Sequence, residues 1–259
     1  MGLFQGNIYS KSLGMYTQLY IYLPQDEPNT RLKGKPSTLI LLHGLTGNSA
    51  SWSRRTNLDA IVNKYNIAVF MPEVSRSFYH DLNPGLKYFK YVSEELPEII
   101  AKTYNVLTNR DNLYIAGLSM GAYGAMKCAL TYPEKFSHVG GFSGMYHIKN
   151  YIDRFKNDLN NENVLRARED FYTIFGKGLE QVETGDLHKL FLDKFNKTLL
   201  PKMYLSCGIS DPLLPLSQDF HKLLDKHGFN HVYQEFEGSH EWNFWSESLK
   251  RMLEVFFDE

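Results

Sequence analysis

The sequence predicts an α/β fold with a mostly parallel central sheet, helices on both faces and one small helical insertion. Three observations lead there. Short apolar runs alternate with helix-like stretches along most of the chain, which is the pattern of a parallel sheet covered on both sides. One such run, Leu113 to Ala116, passes through Gly117-Leu118-Ser119-Met120-Gly121 straight into a helical stretch, Ala122 to Leu130. Finally, residues 145–200 break the alternation without a strong strand signal.

Taken in order, Tyr16 to Leu23 alternates apolar and polar residues and reads as an early antiparallel strand. Lys33 to Pro36 is a turn. Thr38 to Leu42 is a continuous apolar run, as expected of a strand buried on both faces. A helix over Thr56 to Lys64 and a strand over Ile67 to Met71 follow. A helix from about Val92 to Tyr104 leads to the strand Leu113 to Ala116 and the helix after it. Strands are expected at His138 to Phe142, Met203 to Cys207 and His231 to Phe236, with a helix at about Leu216 to His227 between the last two. The final helix, Trp242 to Phe257, carries Phe244, Trp245, Leu249, Met252 and Phe256 at three- and four-residue spacing. The 145–200 segment contains polar and aromatic stretches such as Phe155-Lys156-Asn157-Asp158 and Phe171 to Phe175. A structureless loop of that length does not suit a compact domain, so a helical lid over the active-site edge is expected, with plain peripheral helices as the alternative.

Composition bounds the function. With 259 residues and 43% hydrophobic content, the chain can build one large core, and a single domain over 1–259 is expected. The 28 basic and 29 acidic residues nearly cancel, which argues against nucleic acid as a partner. Met1 to Ser12 has neither the charged nor the apolar region of a signal peptide, and no run approaches the ~20 apolar residues of a membrane span. Cys128 and Cys207 form neither a disulfide framework nor metal-ligand spacing, so a reducing cytoplasm is expected. None of the nine histidines lies in a metal-binding motif such as His-Glu-x-x-His, and no metal or cofactor site is assigned. Exposed aromatics in the insertion could pair subunits, which leaves a homo-oligomer open.

The chemistry rests on Ser119. A serine in a sharp strand-to-helix turn is lifted to the carboxyl edge of the sheet, and glycines two residues before and after it relieve the collision such a turn creates. A hydroxyl is a weak nucleophile until a base takes its proton, so two partners are expected downstream, acid first and histidine second. His240, in Gly238-Ser239-His240-Glu241-Trp242, lies between the last strand and the last helix and is the candidate base. His221 and His227 fall on a helix, His231 begins a strand and His188 belongs to the insertion. Asp211, in the loop after Met203 to Cys207, is the candidate acid, with a turn or helix-capping aspartate as the alternative; Asp219 falls inside a helix. Two backbone donors should face the oxyanion: Met120 N–H at the helix start, and Leu45 N–H from the loop His43 to Asn48, where Gly44 admits close approach. His43 is read as structural. Trp242 and Tyr79-His80-Asp81 either narrow the acyl pocket or pack in the core or at the rim.

These motifs, Leu42-His43-Gly44-Leu45-Thr46-Gly47-Asn48, Gly117 to Gly124 and Gly238 to Trp242, resemble those of the esterase D group of α/β-hydrolases. Within it the chain is similar to bacterial tributyrin esterases, acetylesterases of the EstA type, from about Tyr16 to the C-terminus. The resemblance implies the α/β-hydrolase fold with a lid after strand 6, and carboxylesterase activity on short-chain acyl esters without cofactor or metal. It also implies Ser119, Asp211 and His240 as the triad, with Leu45 and Met120 as oxyanion donors. S-formylglutathione hydrolases and feruloyl esterases belong to the same group and are the alternative enzymes. The former usually carry His-Ser-Met-Gly-Gly at the nucleophile, where this chain has Leu118 and Ala122. A non-catalytic binding protein of the same fold is a third reading, opposed by the presence of all three triad residues.

Overall fold

The computed structural model describes residues 2–26, 32–82, 85–155, 162–179 and 181–258. Eight strands form one sheet: β1 (Gly2–Ser10), β2 (Met15–Leu23), β3 (Ser37–Leu42), β4 (Ile67–Pro72), β5 (Leu113–Leu118), β6 (His138–Phe142), β7 (Lys202–Gly208) and β8 (Val232–Phe236). Their spatial order is β1-β2-β4-β3-β5-β6-β7-β8. The β1–β2 and β2–β4 pairs are antiparallel and the remaining five are parallel. The helices are α1 (Ser51–Arg55), α2 (Leu58–Val62), α3 (Tyr88–Lys90), α4 (Leu96–Thr103), α5 (Met120–Thr131), α6 (Ile148–Phe155), α7 (Glu162–Phe175), α8 (Leu187–Lys194), α9 (Leu214–Lys226) and α10 (Trp242–Phe257).

Strand alternation sorts the core into two layers. In β3, Ile40 and Leu42 face a cluster with Ala125 and Met126 of α5, Ile100 of α4 and Phe220 of α9. Leu39 and Leu41 face the other side, with Leu58 and Val62 of α2 and Trp245, Leu249 and Leu253 of α10. Because both sides of β3, β4 and β5 are covered, these strands read as unbroken apolar runs. Between β6 and β7 lie α6, α7, a short 3-10 turn (Val182–Gly185) and α8, with no strand among the described residues. Phe171, Phe175 and Phe191 from this segment are buried in the same cluster as α5. Of the polar stretch at Phe155, residues Lys156, Asn157 and Asp158 lie outside the described ones.

Three elements depart from expectation. The N-terminal strand β1 has no alternating apolar signal, since most of its residues are exposed, and it is held by its register against β2. The helix expected over Thr56 to Lys64 is instead two short helices. Thr56 is extended, and its backbone N–H and its Oγ1 both donate to Trp52 O, so α1 closes there and α2 restarts after Asn57. The helix expected from Val92 begins at Tyr88 and widens into a π turn over Tyr91–Glu95, just before Pro97, which has no N–H to donate.

Candidate active site

Ser119 sits between β5 and α5 with φ 54° and ψ −117°, a left-handed conformation that a non-glycine residue adopts only under constraint. Its N–H donates to Phe142 O of β6 at 2.8 Å. The turn is closed by backbone contact: a Cβ on Gly121 would stand 2.6 Å from Leu42 O, and one on Gly117 would stand 2.5 Å from the Gly121 carbonyl. The flanking glycines are therefore a packing requirement, and they leave the serine hydroxyl at the sheet edge.

Two other loops converge on that hydroxyl. The loop after β7 turns at Gly208 and Asp211, with Asp211 N–H donating to Gly208 O at 3.0 Å and Ser210 N–H to Gly238 O at 3.1 Å. The second bond fastens it to the loop after β8, which carries His240. His240 Nδ1 stands 3.0 Å from Asp211 Oδ2 and 3.2 Å from Oδ1, and Nε2 stands 3.0 Å from Ser119 Oγ. A carboxylate only accepts, so Nδ1 carries the proton and Nε2 presents its lone pair to the hydroxyl. The Asp211 side chain is fully buried while His240 is 31% exposed. Burial would raise the Asp211 carboxyl, but hydrogen bonds from His240, the Leu213 amide and Ser143 outweigh it and hold it below its usual value. Trp245 of α10 stands edge-on to the His240 ring with centroids 4.9 Å apart, and its Nε1 donates to Ser143 Oγ at 3.0 Å.

The loop after β3 supplies the opposite wall. A Cβ on Gly44 would lie 2.7 Å from Leu118 Cδ1 and 3.5 Å from Ser119 Cβ, so this backbone runs directly beside the serine. Neither the Leu45 nor the Met120 amide has a hydrogen-bond acceptor among the described residues. His43 is buried: Nδ1 donates to Gly44 O at 2.8 Å, and Nε2 accepts from Val74 N–H at 3.3 Å.

Residues 10–173 match the family described as "Putative esterase", and the whole chain is similar to an acetyl esterase of Caldicellulosiruptor saccharolyticus, 30% identical over 98% of this chain and 97% of that protein. The chain belongs to this esterase family. Among solved structures the esterase is similar to fluorophosphonate-binding serine hydrolase F of Staphylococcus aureus (28% identity, 96% of each chain, TM-score 0.79). It is also similar to an S-formylglutathione hydrolase of the same organism (28% identity, 96% of each chain, TM-score 0.77). The esterase is thus a serine hydrolase of carboxylic esters with the α/β-hydrolase fold.

The cleft of the esterase, about 610 Å³, is lined by Ser119 and His240 with Gly44 to Asn48, Met145, Tyr151, Trp242 and Trp245. Arg54, Arg55 and Glu241 also border it, and Arg55 lies over the Trp242 ring at 5.9 Å. Trp242 is therefore a wall of the cleft. Tyr79, His80 and Asp81 are not. Tyr79 and His80 are buried beneath it, where Tyr79 donates to His43 O at 2.9 Å and His80 Nε2 meets Tyr123 OH at 2.7 Å. Sequence reasoning missed Trp245, although it lies three residues beyond Trp242 on the same helix face. It also missed Arg76, for which no local signal exists. Arg76 grips Asp170 of α7, with Nε 3.0 Å from Oδ2 and 3.2 Å from Oδ1, and its Nη1 reaches Leu45 O at 3.5 Å. The thiols of Cys128 and Cys207 are both buried, and burial pushes each up to about 12. No helix of the described residues is long and apolar enough to cross a membrane.

Proposed function

We propose that this esterase hydrolyses short-chain acyl esters through an acyl-enzyme on Ser119, with His240 as general base and acid and Asp211 as its orienting carboxylate. The observation that carries the reading is the unbroken line from Ser119 Oγ through His240 to Asp211, with 3.0 Å at each step. His240 Nε2 takes the hydroxyl proton as Oγ attacks the ester carbonyl, and Asp211 stabilises the imidazolium that forms. The carbonyl oxygen becomes an oxyanion facing the Leu45 and Met120 amides. That neither donates to an acceptor among the described residues suits them to that role. Each such donor typically supplies ~3 kcal/mol to the transition state. His240 then gives its proton to the leaving alcohol, and the same imidazole activates water against the acyl-enzyme.

Trp242 and Trp245 beside His240 supply the bulk expected to shorten the acyl chain accepted. The segment 145–200 is a lid within one domain spanning 1–259, because Met145 and Tyr151 line the cleft and its aromatics join the main core. The free cysteines favour a reducing cytoplasm. A thioester such as S-formylglutathione is the second reading. Besides the names of similar proteins, it is supported by the two arginines bordering the cleft, which would attract the carboxylates of a glutathione-like leaving group.

Ser119→Ala should lower kcat for p-nitrophenyl acetate by up to ~10⁶ and abolish labelling by a fluorophosphonate. Retention of either would refute the nucleophile assignment. A rate series from acetyl to octanoyl esters tests chain length; faster turnover of octanoate would rule out a narrow pocket. Comparison of S-formylglutathione with a matched oxygen ester separates the two readings.

A further inference from the structure

Among the described residues, two groups of histidine and carboxylate side chains bring three donor atoms within 4.8 Å of one another: His147, His188 and Asp219, and His221, Asp225 and His231. In the second group the imidazoles satisfy each other. His221 Nδ1 meets His231 Nε2 at 2.8 Å, and His231 Nδ1 donates to Phe229 O at 2.8 Å.

The first group is not satisfied in this way. His188 Nε2 is buried with no hydrogen-bond partner among the described residues. The nearest carboxylate oxygen, Asp219 Oδ2, stands 3.5 Å away, beyond the 2.7–3.2 Å usual for such a bond. His147 stands edge-on to His188 with ring centroids 4.7 Å apart, and its Nδ1 accepts from the Asn150 amide at a long 3.3 Å.

We propose that His147, His188 and Asp219 form a binding site for one divalent transition-metal ion of the Zn²⁺ class, which clips the insertion to the body of the enzyme. The 3.5 Å separation fits this role, because two ligands ~2.1 Å from a tetrahedral ion lie about 3.4 Å apart. Two imidazoles and one carboxylate are the donor set of Zn²⁺, whereas Ca²⁺ and Mg²⁺ prefer oxygen alone. Asp219 is 48% exposed, which leaves a path for the ion. Water would complete the coordination.

The placement defines the function of the site. His147 follows Met145, a wall of the cleft, His188 lies in the first turn of α8 and Asp219 lies on α9. An ion there would tie the insertion to the helix that packs beneath β7, outside the line of Ser119, His240 and Asp211.

Protein dialysed against a chelator and then freed of it should take up one Zn²⁺ per chain, read by competition with a chromophoric chelator. At about 100 times Kd the melting temperature should rise by roughly 5–10 °C. His188→Gln and Asp219→Asn should each weaken binding at least tenfold and abolish the rise, while their metal-free circular dichroism and melting match the parent. If either fails to fold, His147→Gln takes its place. His221→Gln should bind like the parent. Absence of stoichiometric uptake, undiminished binding in both first-group variants, or loss in His221→Gln alone would each overturn the proposal.

Discussion

At Ser119 the backbone does the work that sequence composition only hints at. Gly121 lies against Leu42 O and Gly117 against Gly121, both with less room than a methyl group needs. Gly121→Ala should therefore push α5 off β3 and cost about 3 kcal/mol. Calorimetry would register this as a fall of roughly 6–12 °C in melting temperature, and kcat should fall with it as Oγ leaves His240. Asp211→Asn should leave melting close to the parent's but lower kcat by ~10⁴, because an amide no longer fixes the His240 tautomer. The three residues were legible because each stands in a loop directly after a strand, where a parallel sheet gathers its ligands. Tyr79 and His80 follow β4 in the same manner, yet they are buried, since Gly124 on α5 makes room for the Tyr79 ring. Position after a strand identifies an edge loop; it does not say which way the side chains turn.

Among the elements, the loop after β3 depends on a helix far away in the chain. Arg76 bridges Asp170 of α7 and Leu45 O, so the insertion steadies the amide proposed to meet the oxyanion. Arg76→Met and Asp170→Asn should each lower kcat about tenfold, part of the 10²–10³ lost when such a donor is removed outright. The melting temperature should move little, because the pair is partly exposed and exposed pairs contribute less than ~1 kcal/mol. An unchanged kcat in both variants would show that the loop holds itself. No reading of one chain could find this pair, which is separated by 94 residues. The central strands were legible because burial on both faces writes a continuous apolar run. Strand β1 was not, because its side chains are mostly exposed and its pairing is a matter of backbone register. The broken helix at Thr56 turns on one side chain bonding back to Trp52 O, a choice invisible to periodicity.

Across the whole molecule, α5 is joined to the insertion by a buried polar chain. Lys127 Nζ donates to Tyr79 O at 3.1 Å and meets His80 Nδ1 at 3.0 Å; His80 Nε2 meets Tyr123 OH, which donates to Gly185 O at 2.9 Å. Burial draws Lys127 down to about 7, against about 10.4 in an unfolded chain. Between those values the unfolded state binds the proton and the folded state does not, so stability from this group rises with pH. The stability difference between the parent and Lys127→Met should shift in the parent's favour by up to about 1.4 kcal/mol per pH unit from pH 7 to 10. Denaturant titrations across that range would measure it, and a flat difference would mean that the amine stays charged. Since Phe171, Phe175 and Phe191 share one core with α5, fluorescence and circular dichroism should report a single unfolding transition.

The two thiols complete the picture at this scale. Cys128 and Cys207 are buried and held far from the thiolate, the form through which a cysteine reacts. Maleimide dyes and mild peroxide should therefore leave both thiols of the native enzyme unmodified. A cysteine introduced at exposed Tyr172 on α7 would then be the sole attachment point, ready for a fluorophore that follows the insertion in real time without first stripping the protein of its own sulfhydryls.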